Sequence, residues 1–313
     1  MKTPPRVQLA ALPTPIQPLD RLSDRWGGPR IFLKRDDLTG SLLTGNKVRK
    51  LEFSLGEALQ AGATRVLTCG GIQSNHCRAT AVACARLGLE CVVYLRTEES
   101  DPEPDGNHLL DRLVGAEVRF VTPEEYRELG PTGEGFWIPE GASDELGMWG
   151  YLTASAELKG HRFDALIHAV GSGGTSAGLV AGRVLHPHDT PLVGVPVCDD
   201  AEFFHDKIDA ILDAARARWR SLPAMPASRD AIELWDGHQG RGYALNRPEE
   251  WSLLREIAAT EGVVLDPVYT IKAMMGLRQA IRDGRFTRGQ EVCFLHTGGI
   301  YGLFPKREES LVV

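Results

Sequence analysis

What the chain lacks narrows its function first. No run of about 18 apolar residues occurs, so no segment reads as a membrane span. The N-terminus does not have the basic-then-apolar pattern of a signal peptide, and a cytoplasmic location is the expectation. No long basic block is present and the net charge is -7, which argues against nucleic acid or an anionic membrane as partner and for a small-molecule substrate. No Cys-x-x-Cys pair occurs. Cys69, Cys77, Cys84, Cys91, Cys198 and Cys293 fall mostly inside apolar segments and read as reduced core residues. Cys77 and Cys84 share a helix face, but no histidine completes a metal-ligand spacing, so no metal is expected. Internal repeats and low-complexity segments are absent too.

The 313 residues suffice for two domains, or for one large domain with an insertion. Residues 1–30 are rich in proline and read as an extended arm, with Ile31 to Lys34 as a short strand. A turn-rich loop, Asp36 to Ser41, leads to a helix whose apolar positions 48, 51, 55 and 59 repeat at helical spacing. Strand, helix and strand then alternate: Arg65 to Cys69, a helix through Ala79 to Leu87, Glu90 to Leu95, His108 to Val114, Glu117 to Val121 and Glu124 to Leu129. That is the pattern of parallel crossover units. Gly130 to Gly150, punctuated by glycine and proline, reads as a return connection. Helices are expected at Tyr151 to Lys159, Leu179 to Leu185, Asp200 to Trp219, around Trp251 to Ala258 and at Ile271 to Ile281. Further strands are expected at Asp164 to Val170, Pro191 to Val197, Ala231 to Trp235 and Glu291 to Leu295.

Three glycine-rich turns, Gly70-Gly71, Gly171 to Gly178 and Gly298-Gly299, each follow an apolar strand, the edge where open parallel sheets bind ligands. The central turn adds Ser172, Thr175 and Ser176 at a strand-to-helix transition and suits a phosphate, unless glycine serves there only for tight packing. It is not a Walker loop and is a poor dinucleotide fingerprint. Gln73-Ser74-Asn75-His76 either caps the next helix or lines a ligand. Gly45-Asn46-Lys47-Val48-Arg49-Lys50 opens the first helix with a glycine and a capping-type asparagine. Lys47 there faces the positive helix end and two basic neighbours, which disfavours its charged form, although a solvated basic helix start explains the same residues. A reactive lysine, a phosphate cradle and hydroxyl-rich helix starts near Tyr243 and Tyr269 are together what a pyridoxal phosphate enzyme requires.

The segments Gly45 to Glu52, Gly70 to His76, Val170 to Thr175, Asp266-Pro267-Val268-Tyr269-Thr270 and His296-Thr297-Gly298-Gly299 resemble the D-cysteine desulfhydrase and 1-aminocyclopropane-1-carboxylate deaminase family, in the family's order and over most of the chain. The resemblance implies two doubly wound three-layer α/β domains of the tryptophan synthase beta-like fold, fold type II. It also implies pyridoxal 5'-phosphate in the cleft and a homodimer. Residues 1–50 and 156–313 would make the large cofactor domain and 51–155 the small one. Lys47 would be the lysine that forms the imine, and Lys50, Gly171, Ser172, Gly173, Gly174 and Thr175 would hold the phosphate. Asn75 would bond the ring oxygen, with Thr270 and Thr297 also on the cofactor. Ser74, Asn75, His76, Tyr243, Tyr269 and Tyr301 would meet the substrate, with Ser74, Tyr243 and Tyr269 also in catalysis.

Within that family Thr270 stands where the cyclopropane deaminases carry a glutamate, and His76 where they usually carry glutamine. Both follow the desulfhydrase pattern and imply α,β-elimination of D-cysteine to pyruvate, hydrogen sulfide and ammonia. The alternatives are cyclopropane deamination to 2-oxobutyrate, elimination from another β-substituted amino acid, and cofactor binding without turnover. Tyr301 in place of a proline, Ile271 in place of a glycine, and Glu140-Gly141-Ala142-Ser143-Asp144 in place of a Gly-Gly-Ser-Asn-like turn depart from the family on the substrate side.

Overall fold

The computed structural model describes residues 3–312; Met1 and Lys2 of the expected arm, and Val313, lie outside the described residues. In chain order the strands are β1 (Ile16–Pro18), β2 (Arg30–Lys34), β3 (Arg65–Gly71), β4 (Glu90–Arg96), β5 (Glu117–Val121), β6 (Phe136–Ile138), β7 (Ala165–Val170), β8 (Leu192–Pro196), β9 (Ile232–Leu234) and β10 (Glu291–Leu295). They form a six-stranded sheet ordered β1-β2-β10-β7-β8-β9 and a four-stranded sheet ordered β5-β4-β3-β6. Every pairing is parallel except β1 with β2.

Successive side chains of a strand point to opposite faces. On the large sheet Ile167, Val193, Val195, Val292 and Phe294 pack one way, against helices that include Leu254, Ile257, Met274 and Leu277. Leu166, Leu192, Cys293 and Leu295 pack the other way, against Leu179, Val180, Ile208 and Trp149. Both faces are covered, which is why β7 reads as a continuous apolar run. Each fully buried aliphatic side chain here contributes roughly 2 kcal/mol. The small sheet has its own core around Val66, Val93, Leu95, Ala79 and Ile138.

In the large sheet β7, β8 and β9 run outward in one direction and β10 lies on the other side of β7. In the small sheet β3, β4 and β5 run one way and β6 returns on the far side of β3. Each sheet therefore has a switch point, between β7 and β10 and between β3 and β6, and ligands bind outside the strand ends at such points. The turns that follow these four strands line the site, together with the start of the Asn46–Gln60 helix and the segments bearing Tyr243 and Tyr269.

Several elements differ from the sequence expectation. The proline-rich arm contains β1 and a helix, Asp20–Trp26. The expected return connection contains β6, held in register by β3 at Val66, Leu67 and Thr68. The expected Tyr151 to Lys159 helix is an α-helix, Trp149–Ala154, followed by a 3-10 turn, Ser155–Leu158. After Gly299 the chain forms a 3-10 segment, Ile300–Lys306, and a short helix, Arg307–Leu311.

Candidate active site

The helix Asn46–Gln60 starts at Gly45, whose φ of 99° suits glycine and whose missing Cβ would lie 2.7 Å from the Thr297 carbonyl oxygen. Gly45, not Asn46, is the capping residue. The Asn46 side chain is left to donate to Thr175 Oγ1 (3.1 Å) and to accept from Lys47 Nζ (3.1 Å). Lys47 is half-buried with Nζ 5.6 Å from the centre of the Tyr269 ring. Burial lowers its pKa to about 8 against the pull of Asp266 and Glu140, with Arg78 adding to the lowering. Arg49 contributes differently from the sequence reading, because its guanidinium turns away to Asp36 and Glu157.

The Gly174–Leu185 helix begins at Gly173 (φ 80°) with no side-chain cap, which leaves its first backbone N-H groups free for an anion. Cβ atoms at Gly171 and Gly174 would lie 2.7 Å from Tyr269 and from Ser143 Oγ, so the loop needs glycine at both positions. Beneath it Lys50 is fully buried, and the hydroxyl of Ser143 (2.9 Å) is its hydrogen-bond partner among the described residues. Ser143 Oγ in turn lies 2.7 Å from Ser172 Oγ. Burial, with Lys47 nearby, holds the Lys50 pKa well below its ordinary value. A buried amine with no salt bridge among the described residues, only the more distant pull of Asp144, stands beside an uncapped helix start and is suited to a phosphate. These residues fit pyridoxal phosphate: an anion cradle, and an amine able to reach a carbonyl.

Across the cleft Ser74 caps the Asn75–Leu87 helix, accepting from Cys77 N at 3.2 Å. The Asn75 amide oxygen accepts from Asn107 (3.1 Å), leaving its amino group free among the described residues. His76 is buried, not a surface histidine. The hydroxyl hydrogen of Thr68 goes to the Ile138 carbonyl (2.8 Å), so the 2.7 Å contact with His76 is Nε2-H donating and Nδ1 keeps an unshared lone pair. Burial, Lys47 and Lys50 push the His76 pKa well down, and the ring is neutral.

Tyr243 and Tyr269 meet hydroxyl to hydroxyl at 2.9 Å. Burial raises the Tyr269 pKa well above its ordinary value and pushes Tyr243 up to about 12, although the bond to Tyr269 lowers the latter. Tyr243 sits on an irregular segment that is fastened by Lys272, a buried residue whose Nζ donates to the carbonyls of Gln239 (2.7 Å) and Gly242 (2.6 Å).

The cleft gathers Lys47, Ser74, Asn75, His76, Gly171, Ser172, Gly173, Thr175, Tyr243, Tyr269 and Thr297. Lys50 and Gly174 stand immediately behind that wall. Thr270 is set back as well: its hydroxyl donates to Asp266 Oδ1 (2.6 Å) and accepts from Asp266 N (2.8 Å). Tyr301 stands off the wall, under the Arg78 guanidinium (5.3 Å) with its hydroxyl 3.4 Å from Ser41 O. Sequence reasoning put Ser176 in the phosphate-suited turn and Gly298 in a ligand-edge turn without giving either a contact, and read Asn46 only as a capping type; the structure puts all three on the wall. The role of Asn46 was hidden because its partner Thr175 is 129 residues away.

An amine, an anion cradle and paired hydroxyls at two facing switch points define a pyridoxal phosphate enzyme. The chain belongs to that family: the model of pyridoxal-phosphate dependent enzymes matches residues 7–298. A Thermotoga maritima protein whose name proposes a 1-aminocyclopropane-1-carboxylate deaminase is 43% identical over 318 residues, covering 96% of this chain and 98% of its own. The mitochondrial bifunctional D-cysteine desulfhydrase/1-aminocyclopropane-1-carboxylate deaminase of Arabidopsis thaliana is 40% identical, covering 96% of this chain and 80% of its own. A solved structure described as an ACC deaminase homologue superposes with a TM-score of 0.84 at 35% identity, covering 98% of this chain and 96% of its own. The fold is thus fold type II, with two α/β domains.

Proposed function

We propose that the protein carries out α,β-elimination on a small β-substituted amino acid, converting D-cysteine to pyruvate, hydrogen sulfide and ammonia. The observation that carries this reading is the Lys47 amine, set beside Tyr269 with a pKa lowered to about 8. Bound pyridoxal phosphate supplies a carbon that captures amines and an electron sink for the charge left at Cα. Lys50 and the backbone of Gly171, Ser172, Gly173, Gly174 and Thr175 would hold its phosphate, Asn75 its ring oxygen, and Thr297 the rest of the ring, with Thr270 behind it through Asp266.

The remaining steps fall to this chain's own groups. A lysine of pKa about 8 is roughly one-tenth neutral at pH 7, so the same amine can take the Cα proton and later return one. Ser74 and Asn75, at a helix start, would orient the substrate carboxylate. Neutral His76 would present Nδ1 as an acceptor toward the reacting side chain. The tyrosine pair stays protonated at neutral pH and would donate a proton to a departing group, with Tyr243 replenishing Tyr269 across their shared bond.

Incubation of the loaded protein with D- and L-cysteine should release pyruvate and sulfide in equal amounts. Borohydride reduction should leave a pyridoxyl mass tag on Lys47; a folded protein without that tag would overturn the reading. Deamination of 1-aminocyclopropane-1-carboxylate is the second reading and would yield 2-oxobutyrate. Against it stands Thr270, whose hydroxyl hydrogen is committed to Asp266.

The domain division at 1–50 with 156–313 and 51–155 is part of the same proposal, as are a homodimer and a cytoplasmic location. Exposed Leu109, Leu113, Phe304 and Leu311 favour a covered surface. No helix of the described residues is long and apolar enough to cross a membrane.

A further inference from the structure

Asn107 is fully buried behind the cleft wall, at the start of the helix Gly106–Leu113, and both polar atoms of its side chain are committed. Its Oδ1 accepts from Arg78 Nε (3.2 Å), while its Nδ2 donates to the Gln73 carbonyl (3.1 Å) and to Asn75 Oδ1 (3.1 Å). This amide cannot turn over. A guanidinium only donates and a main-chain carbonyl only accepts, so oxygen must face Arg78 and nitrogen must face Gln73. The Asn75 atom that meets that nitrogen is therefore its oxygen. The backbone holds the arrangement in place: Gln73 Oε1 accepts from Asn107 N (2.9 Å), Gln73 Nε2 donates to Asp105 O (3.0 Å), and at Gly106 (φ 55°) a Cβ would lie 2.5 Å from the Tyr301 carbonyl oxygen.

A charge stands at the far end of this chain of hydrogen bonds. The other bonds of Arg78 also go to neutral oxygens, from Nη1 to Leu42 O (2.5 Å) and from Nη2 to Thr44 O (3.2 Å), in the loop that leads to Lys47. Burial lowers the Arg78 pKa to about 10, against the pull of Tyr301 and Asp111, and the guanidinium is charged at neutral pH. A cation polarises the neutral group it bonds, and each donor in such a chain strengthens the next. Asn75, the last member, lines the cleft, and its amino group lies beside Gly299 of the turn after β10. We infer that Asn107 is a positioning residue: it turns the Asn75 amide so that nitrogen, not oxygen, faces the cofactor, and it relays the Arg78 charge to the cofactor's ring oxygen. The reverse orientation would set one oxygen against another.

This inference rests on the reading that Asn75 meets the ring oxygen, and the test separates the two. The apoprotein is titrated with pyridoxal 5'-phosphate and with 3-deoxypyridoxal 5'-phosphate, which lacks only the ring oxygen. The ratio of the two dissociation constants, deoxy over parent, should fall about ten-fold from wild type to Asn107→Ala, the weight of one charge-assisted hydrogen bond. Asn75→Ala should lower it about as far, and the double variant no further. A purely structural role would weaken both ligands together and leave the ratio where it was. Asn107→Asp is nearly isosteric and keeps the contact with Arg78 but cannot donate. It should draw the Asn75 amino group to itself, set the Asn75 oxygen toward the cofactor, and lower the ratio below that of Asn107→Ala. Absorbance of bound pyridoxal phosphate is a second readout: with the donor gone, the proton shared by the Lys47 nitrogen and the ring oxygen moves toward the oxygen, and the near-ultraviolet band grows at the expense of the visible one. A ratio that falls in Asn75→Ala but stays at the wild-type value in Asn107→Ala and Asn107→Asp overturns the positioning role alone. A ratio unchanged in Asn75→Ala overturns the ring-oxygen reading with it.

Discussion

Lys47 shows how little of a residue's chemistry belongs to its neighbours in sequence. Arg49 and Lys50 flank it, yet the first is drawn to Asp36 and Glu157 and the second points to Ser143, and burial is the main cause of its lowered pKa. Capture of pyridoxal phosphate by apoprotein needs the neutral amine. Its rate should therefore rise about ten-fold per pH unit below pH 8 and level off above, as followed by stopped-flow absorbance. A rate still climbing at pH 10 would mean an ordinary solvated lysine. The sequence made Lys47 legible through its place before an apolar helix and its resemblance to a family motif. It hid Asn46, whose type suits a helix cap, because the structure gives the cap to Gly45 and turns the asparagine onto Thr175.

At the scale of elements, long periodic segments were readable and short ones were not. The helix Ala201–Arg218 and the strand β7 each carry enough apolar residues at one spacing to declare themselves. β6 has three residues among glycines and prolines and takes its register from β3, so no local pattern could announce it. The segment that bears Tyr243 has no regular structure, and Lys272, from the helix that follows Tyr269, fastens it through two backbone carbonyls. Replacing Lys272 by Met should leave those carbonyls unpaired and loosen the segment by about 2 kcal/mol. Hydrogen exchange over residues 236–247 should then speed up, and turnover should fall about ten-fold. Because Lys272 acts through Tyr243, the double variant Lys272→Met with Tyr243→Phe should lose little beyond Tyr243→Phe alone. Unchanged exchange would remove the clamp from the account.

Over the whole molecule, a buried polar hub joins the arm, β2, the Asn46–Gln60 helix and the Ser155–Leu158 turn. Arg49 donates to Asp36 (2.8 Å) and to Glu157 (2.7 Å), Lys34 also reaches Glu157, and Thr14 and Tyr151 donate to Asp36. Burial alone would push the Asp36 and Glu157 carboxyls up, but Arg49 and the hydrogen bonds outweigh it and hold both below their ordinary values. A carboxyl so depressed stabilises the fold above its ordinary pKa and loses that contribution as pH falls through its folded value. Arg49→Met would strand buried Asp36 and should cost about 3–5 kcal/mol at pH 7. Protonation of Asp36 relieves the variant while acid weakens the wild type, so the gap measured by urea unfolding should narrow as pH drops below about 5. A gap that stays constant with pH would show that the loss is one of packing. None of this hub was evident from sequence, because its members, from Thr14 to Glu157, come from segments far apart in the chain. The switch point between β7 and β10, by contrast, lies among strands that the sequence displays, whereas the one between β3 and β6 depends on a strand it hid. The two are not independent: Ser143 from the turn after β6 reaches Ser172 in the turn after β7 (2.7 Å), so the anion cradle closes only where the two sheets meet. A change in either turn therefore bears on the same cradle.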